Sequence, residues 1–76
     1  MKESLELIIT SLVSEPSEVT INEKDGEREI TFEVKVKDTD MGKVIGKEGR
    51  MAKAIRTIMK SIAGKEGKRV NIEFID

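Results

Sequence analysis

The sequence predicts an α+β fold, a three-stranded mixed sheet packed on one face by helices. Three patterns lead there. Apolar residues recur at helical spacing near the N-terminus and again in the second half, at Met51, Ile55, Ile58, Met59 and Ile62. Two stretches with a period of two flank an Asp-Gly pair, as in a hairpin. A further alternating stretch, Val70, Ile72 and Phe74, closes the chain. The order is helix, strand, strand, short helix, helix, strand (α-β-β-α-α-β). One sheet with helices on one face is an efficient way to bury this much apolar surface.

The first helix is expected from Lys2 to about Val13, with Leu5, Ile8, Ile9, Leu12 and Val13 inward. Pro16 stops it, since proline cannot continue the hydrogen-bond ladder and biases Glu15 away from helical angles. From Glu18, Val19 and Ile21 alternate with Thr20 and Asn22. Lys24-Asp25-Gly26-Glu27 follows as a turn, the Asp-Gly pair supplying the positive backbone angles of a tight hairpin. Ile30, Phe32, Val34 and Val36 then mark a one-faced strand. Asp38, Thr39 and Asp40 offer N-cap side chains for a short helix over Met41 to Ile45 that Gly46 ends. The long helix runs from near Gly49 to Ala63, with Gly64 as a left-handed C-cap and Lys60 and Lys65 near the negative end of its dipole. Arg69 to Ile75 is the last strand. It returns after two helices, so it can lie parallel to the second strand through a helical crossover.

With 76 residues the chain has room for one small domain, residues 1–76. Charged residues reach 38%, against roughly 25% in ordinary globular domains. Cysteine, histidine, tryptophan and tyrosine are all absent. No disulfide or thiolate metal site can form, and no cofactor or metal is expected. No segment approaches the ~20 apolar residues of a membrane span, and the acidic N-terminus does not read as a signal peptide. A cytoplasmic location, without membrane association, is the expectation.

A net charge of −1 hides a division. Residues 1–42 carry 5 basic and 11 acidic side chains, whereas residues 43–69 carry 9 basic and only 2 acidic, Glu48 and Glu66. Such asymmetry suggests a basic face that meets an anionic partner. The alternative is that Lys and Arg merely solvate the outer side of a helix.

The informative stretch is Met41-Gly42-Lys43-Val44-Ile45-Gly46-Lys47-Glu48-Gly49-Arg50. Two glycines three positions apart join two helices and leave the backbone open to close approach. The loop also precedes a helix N-terminus, where unpaired N–H groups and the dipole attract anions. Lys43, Lys47, Arg50 and Lys53 surround it, so a phosphodiester chain is a natural ligand. Read alone, Gly46 is equally a C-cap and Gly49 an N-cap with nothing bound. Arg50 and Lys53 are read as the start of a phosphate track on the polar side of the long helix; Lys60, Lys65, Lys68 and Arg69 are read as solvated surface. Met41 and Met51 read as gap-filling core residues.

Val44-Ile45-Gly46-Lys47-Glu48-Gly49-Arg50, followed by Ala54-Ile55 and Ile58, resembles the KH signature, an I-G-x-x-G loop running into an apolar-patterned helix. The element order resembles the type II KH arrangement. Its size and the run from Asp40 to Lys60 are similar to the KhpA family of small bacterial single-KH proteins. The resemblance implies that Gly46, Lys47, Glu48 and Gly49 clamp the backbone of about four nucleotides of single-stranded RNA. It implies further that Ile45 with the adjoining helix and strand forms a groove wall for bases. It also implies self-association, pairing with a KhpB-like RNA-binding protein, and a role as RNA chaperone or post-transcriptional regulator. Glu48 departs from the most favourable pattern, placing a negative charge where a basic residue would help. The phenylalanines, Phe32 and Phe74, fall in core phase, so no aromatic stacking platform is expected.

Catalysis is not expected. The Gly42-to-Glu48 stretch differs from a phosphate-binding P-loop in its glycine spacing and in having Glu48 where Ser or Thr should follow lysine. Without His or Cys, the commonest general base and the thiol nucleophile are missing. A second reading is an interaction module with a KH fold, acting through a homo- or heterodimer and binding RNA weakly or not at all. Gly46→Asp combined with Gly49→Asp is expected to keep the fold and remove RNA binding.

Overall fold

A computed structural model of the chain describes residues 1–75. Helix α1 (Lys2–Leu12) buries Leu5 and Ile9 completely, with Ile8, Leu12 and Val13 half-buried beside them. Val13 is already extended, and Pro16 opens a single 3₁₀ turn, Pro16–Glu18, whose first position tolerates the missing N–H. Strand β1 (Thr20–Asp25) pairs antiparallel with β2 (Glu29–Lys35), placing Ile21 opposite Val34. Ile30, Phe32 and Val34 on β2, and Val36 just beyond it, all point into the core.

Strand β3 (Arg69–Ile75) pairs with β2 in parallel, Ile30 beside Val70 and Phe32 beside Ile72. The sheet order β1-β2-β3 puts β2 in the centre. The crossover from β2 to β3 carries α2 (Met41–Ile45) and α3 (Arg50–Lys65), and with α1 these helices pack their apolar sides on one face of the sheet. This is the α-β-β-α-α-β mixed-sheet architecture expected from the periodicities.

Five local expectations are corrected. The Asp25-Gly26 turn does not use a left-handed glycine; the left-handed glycines are Gly46, Gly49 and Gly67. Gly26 is required for closeness instead. Its N–H donates to the Glu29 carbonyl at 2.7 Å, and a Cβ there would lie 2.7 Å from the same oxygen. Asp40 is not a side-chain cap for α2; its carboxylate is turned inward.

On α3 the buried line is Ala52, Ile55, Met59 and Ala63, while Met51 is 36% and Ile58 47% exposed. The small side chains of Ala52 and Ala63 lie in this buried line, so the contact stripe is rotated away from Met51 and Ile58. The helix also passes through Gly64 and closes one turn later. Lys68 N–H donates to Ala63 O and Gly67 N–H to Gly64 O, with Gly67 at φ 70°. That is the paired-bond C-terminal motif that wants glycine past the helix end. Phe74 is only half-buried, unlike Phe32.

Candidate nucleic-acid interface

The link between α2 and α3 turns on three left-handed residues. Gly46 sits at φ 77°, ψ 172°, Glu48 at φ 58°, ψ 25°, and Gly49 at φ 73°, ψ 14°. The first of these is a region open essentially to glycine alone. Closeness makes the demand stronger, because a Cβ on Gly46 would lie 2.7 Å from the Met51 Cβ and 2.8 Å from its backbone nitrogen. At Gly49 a Cβ would meet nothing. The geometry therefore argues against the expectation that aspartate at Gly46 keeps the fold, while at Gly49 the positive φ is the one source of strain. Glu48 occupies the left-handed region with a side chain, a conformation costing about 1 kcal/mol or more.

The loop's hydrogen bonds run inward. Gly46 N–H closes α2 on Gly42 O at 2.8 Å, Gly49 N–H donates to Gly46 O at 3.1 Å, and Arg50 N–H donates to Lys47 O. Among the described residues, none of these bonds uses the N–H of Lys47 or Glu48. Both N–H groups lie on an exposed loop at the positive end of a 16-residue helix.

The basic side chains around the loop fall into two kinds. Lys43 reaches the buried Asp40 carboxylate at 3.4 Å, whereas Arg50 reaches Glu48 at 3.7 Å in solvent, where such pairs hold little energy. Lys47 and Lys53 are exposed, with no ion pair among the described residues. Glu48 thus faces Arg50 and offsets part of the positive charge the loop would otherwise show. Ile45 is half-buried against the core at the foot of the loop. Lys43, Ile45, Gly46, Lys47, Glu48, Gly49, Arg50 and Lys53 therefore all lie on or beside one turn of chain.

Asp40 anchors that turn from behind. It is the one fully buried charged side chain among the described residues. Its carboxylate accepts from Ser14 N–H at 3.1 Å, Ser14 Oγ at 2.7 Å and Glu15 N–H at 3.0 Å, with the Lys43 ammonium alongside. The chain after α1 is thereby tied to the start of α2, one short helix before Gly46. The Ser14 hydroxyl is the strongest influence on the carboxyl. Burial opposes it, and the two N–H donors and Lys43 reinforce it, so the pKa falls from the ordinary 3.8 to about 2. A depressed carboxyl contributes stability above pH 3.8 and loses it as pH falls through about 2. Thermal melts of Asp40→Asn should therefore lie below those of the parent protein at neutral pH and converge with them across that acid window. Parallel curves down to pH 2 would sink this account.

Sequence reasoning missed Arg56, whose Nε and Nη2 donate to Ile72 O at 3.2 and 3.1 Å while its Cζ lies 5.5 Å from the Phe74 ring centre. A groove between α3 and β3 is lined by Arg56, Lys60, Val70, Asn71, Ile72 and Glu73. It continues past Lys68 and Arg69. Lys60, Lys68 and Arg69, read from sequence as plain surface charges, border this groove. Only the helical phase could have hinted at it: Arg50, Lys53, Arg56 and Lys60 share one side of α3 over about 15 Å.

The family model described as KhpA/KhpB, KH domain, matches residues 2–74. The chain is 56% identical over 75 residues to a Clostridium perfringens protein named RNA-binding protein KhpA, covering 99% of this chain and all of the relative. Proteins of the same name from Clostridium acetobutylicum and Chlamydia pneumoniae are 57% and 47% identical. These alignments cover 99% and 100% of this chain and 100% and 97% of the relatives.

Proposed function

The chain belongs to the KhpA/KhpB KH-domain family, and from that footing we propose that residues 1–76 work as one KH domain, a non-enzymatic binder of single-stranded RNA. The observation that carries the reading is the Gly46–Gly49 loop. Its own hydrogen bonds do not use the Lys47 and Glu48 N–H groups, which lie at the positive end of α3 with Lys43, Lys47, Arg50 and Lys53 around them. A phosphodiester run lying across this loop would accept from the backbone and meet the four cations. Ile45 and the α3/β3 groove would then take the bases that follow. The names of the relatives agree with this ligand. The lack of His and Cys supports a binding role over catalysis. The cellular role in this reading is RNA chaperone or post-transcriptional regulator, in the cytoplasm.

A second reading rests on exposed apolar side chains. Leu7 on α1 is 69% exposed and Ile58 on α3 47%, on a chain that otherwise solvates its surface with charge. Such residues suit self-association or pairing with a KhpB-like protein. A dimer would also present two loops to one RNA strand and raise effective concentration.

Fluorescence anisotropy of a short labelled RNA tests the first reading. Contact with about four phosphates predicts a roughly 50-fold loss of affinity between about 50 and 200 mM salt. No binding at low salt would overturn it in favour of the interaction module, which sedimentation would then show as a dimer.

A further inference from the structure

Glu48 is the one acidic residue between Lys43 and Lys65. Its backbone is left-handed, its side chain is 71% exposed, and Arg50 Nη2 lies 3.7 Å from its Oε2. That separation exceeds the roughly 2.7–2.9 Å of a charge-assisted hydrogen bond. The guanidinium therefore keeps the carboxylate company without occupying its lone pairs. Among the described residues no side-chain hydrogen bond reaches it.

An ionised carboxylate only accepts hydrogen bonds, with room for about four. A phosphodiester offers it no donor and repels it. A divalent cation bridging carboxylate and phosphate is disfavoured as well, because Lys43, Lys47, Arg50 and Lys53 already surround the loop. Base amines are donors, but in the reading above the bases lie beyond the loop, along α3. The sugar-phosphate chain that crosses the loop carries one donor of its own, the ribose 2′-hydroxyl, and DNA lacks it. An RNA strand thus gives the Glu48 carboxylate a hydrogen bond where single-stranded DNA gives it only like charge. Arg50 alongside tempers the repulsion from neighbouring phosphates in both cases.

Resting on the RNA-binding reading above, we propose that Glu48 is a specificity-determining residue that accepts from a ribose 2′-hydroxyl and so selects RNA over single-stranded DNA. Uridine heptamers built on ribose, 2′-deoxyribose or 2′-fluororibose test it by anisotropy. All three carry the same base and the same phosphates. The 2′-fluoro strand keeps the sugar pucker of RNA but has no 2′ donor. The ribose strand should bind the parent protein about tenfold tighter than either of the others, the scale of one hydrogen bond to a charged group. Glu48→Gly, which also relieves the left-handed backbone, should bind the deoxy and fluoro strands more tightly than the parent does, and all three strands within about twofold of one another. Glu48→Gln keeps an acceptor without the charge and should retain a reduced preference for ribose. A melt checks the fold of each variant.

Equal binding of the three strands by the parent protein would overturn the proposal while leaving RNA binding intact. A 2′-fluoro strand that binds as tightly as the ribose strand would assign the preference to sugar pucker and overturn it too. So would a ribose preference undiminished in a folded Glu48→Gly, or a gain shared equally by all three strands, which would make Glu48 a plain repulsive charge. A parent protein that binds no strand at all brings down the RNA-binding reading first and this assignment with it.

Discussion

Gly49→Asp is expected to weaken single-stranded RNA binding by about 10- to 100-fold while the protein stays folded. The backbone at this position, φ 73° and ψ 14°, is one that aspartate and asparagine adopt more readily than other side chains. A Cβ there points into open space. The fold should lose only about 1 kcal/mol. Binding is different, because the new carboxylate stands at the N-terminus of α3, where a phosphate would lie. Like charges a few ångströms apart near a protein surface cost about 1–3 kcal/mol even after solvent screening. Gly49→Asn has nearly the same shape without the charge and should keep most of the affinity. Anisotropy titrations of both variants, each paired with a circular-dichroism melt, separate charge from shape. A folded Gly49→Asp with parental affinity would remove the loop from the binding surface.

Gly46→Ala should act on the fold instead. A loss of about 2–4 kcal/mol follows from combining a glycine-only backbone region with an overpacked contact. The new methyl would lie 2.7 Å from the Met51 side chain and 2.8 Å from its backbone nitrogen, and the backbone of α3 cannot swing aside like a flexible tip. For a chain of 76 residues that is a large share of the ~4–11 kcal/mol holding it folded. Urea denaturation should show a lower midpoint with an unchanged slope. A shift of under about 0.5 kcal/mol would mean that the loop relaxes freely around position 46. The two glycines of one motif thus make separable demands: the first on the packing of the chain, and the second, in the proposed reading, on the space left for RNA.

The strands and α2 were legible because their signals are local and have a period of two or sit between clear breakers. Ile30, Phe32, Val34 and Val36 could face only one way, and Gly46 had to end the helix that precedes it. The phase of α3 was harder. Met51 and Ile58 are as apolar as Ile55 and Met59. The buried stripe instead runs through Ala52 and Ala63, small residues that carry a weak apolar signal.

Asp40 looked like a helix cap by type and position; its partners Ser14 and Glu15 lie on the far side of the β-hairpin in sequence, where no local rule reaches. Arg56 was hidden for a similar reason. A long side chain on the polar flank of a helix reads as solvated until the edge of β3, sixteen residues on, is placed beside it. The loop was legible as a motif and as a charge pattern, but the different demands at Gly46 and Gly49 emerge only from the backbone angles and neighbouring atoms.

The parallel register of β2 and β3 has a consequence for the order of assembly. The hairpin closes locally, whereas Ile30 meets Val70 across roughly 40 residues, a contact of the kind that slows folding. The whole α2–loop–α3 segment lies inside that long closure. A chain emerging from the ribosome can make α1, the hairpin and both later helices before Val70 is available. Until β3 docks, however, Arg56 has no edge to hold and α3 lacks one wall of its groove. In the proposed reading, the RNA-binding groove is therefore completed only when β3 docks, after both helices of the crossover are in place.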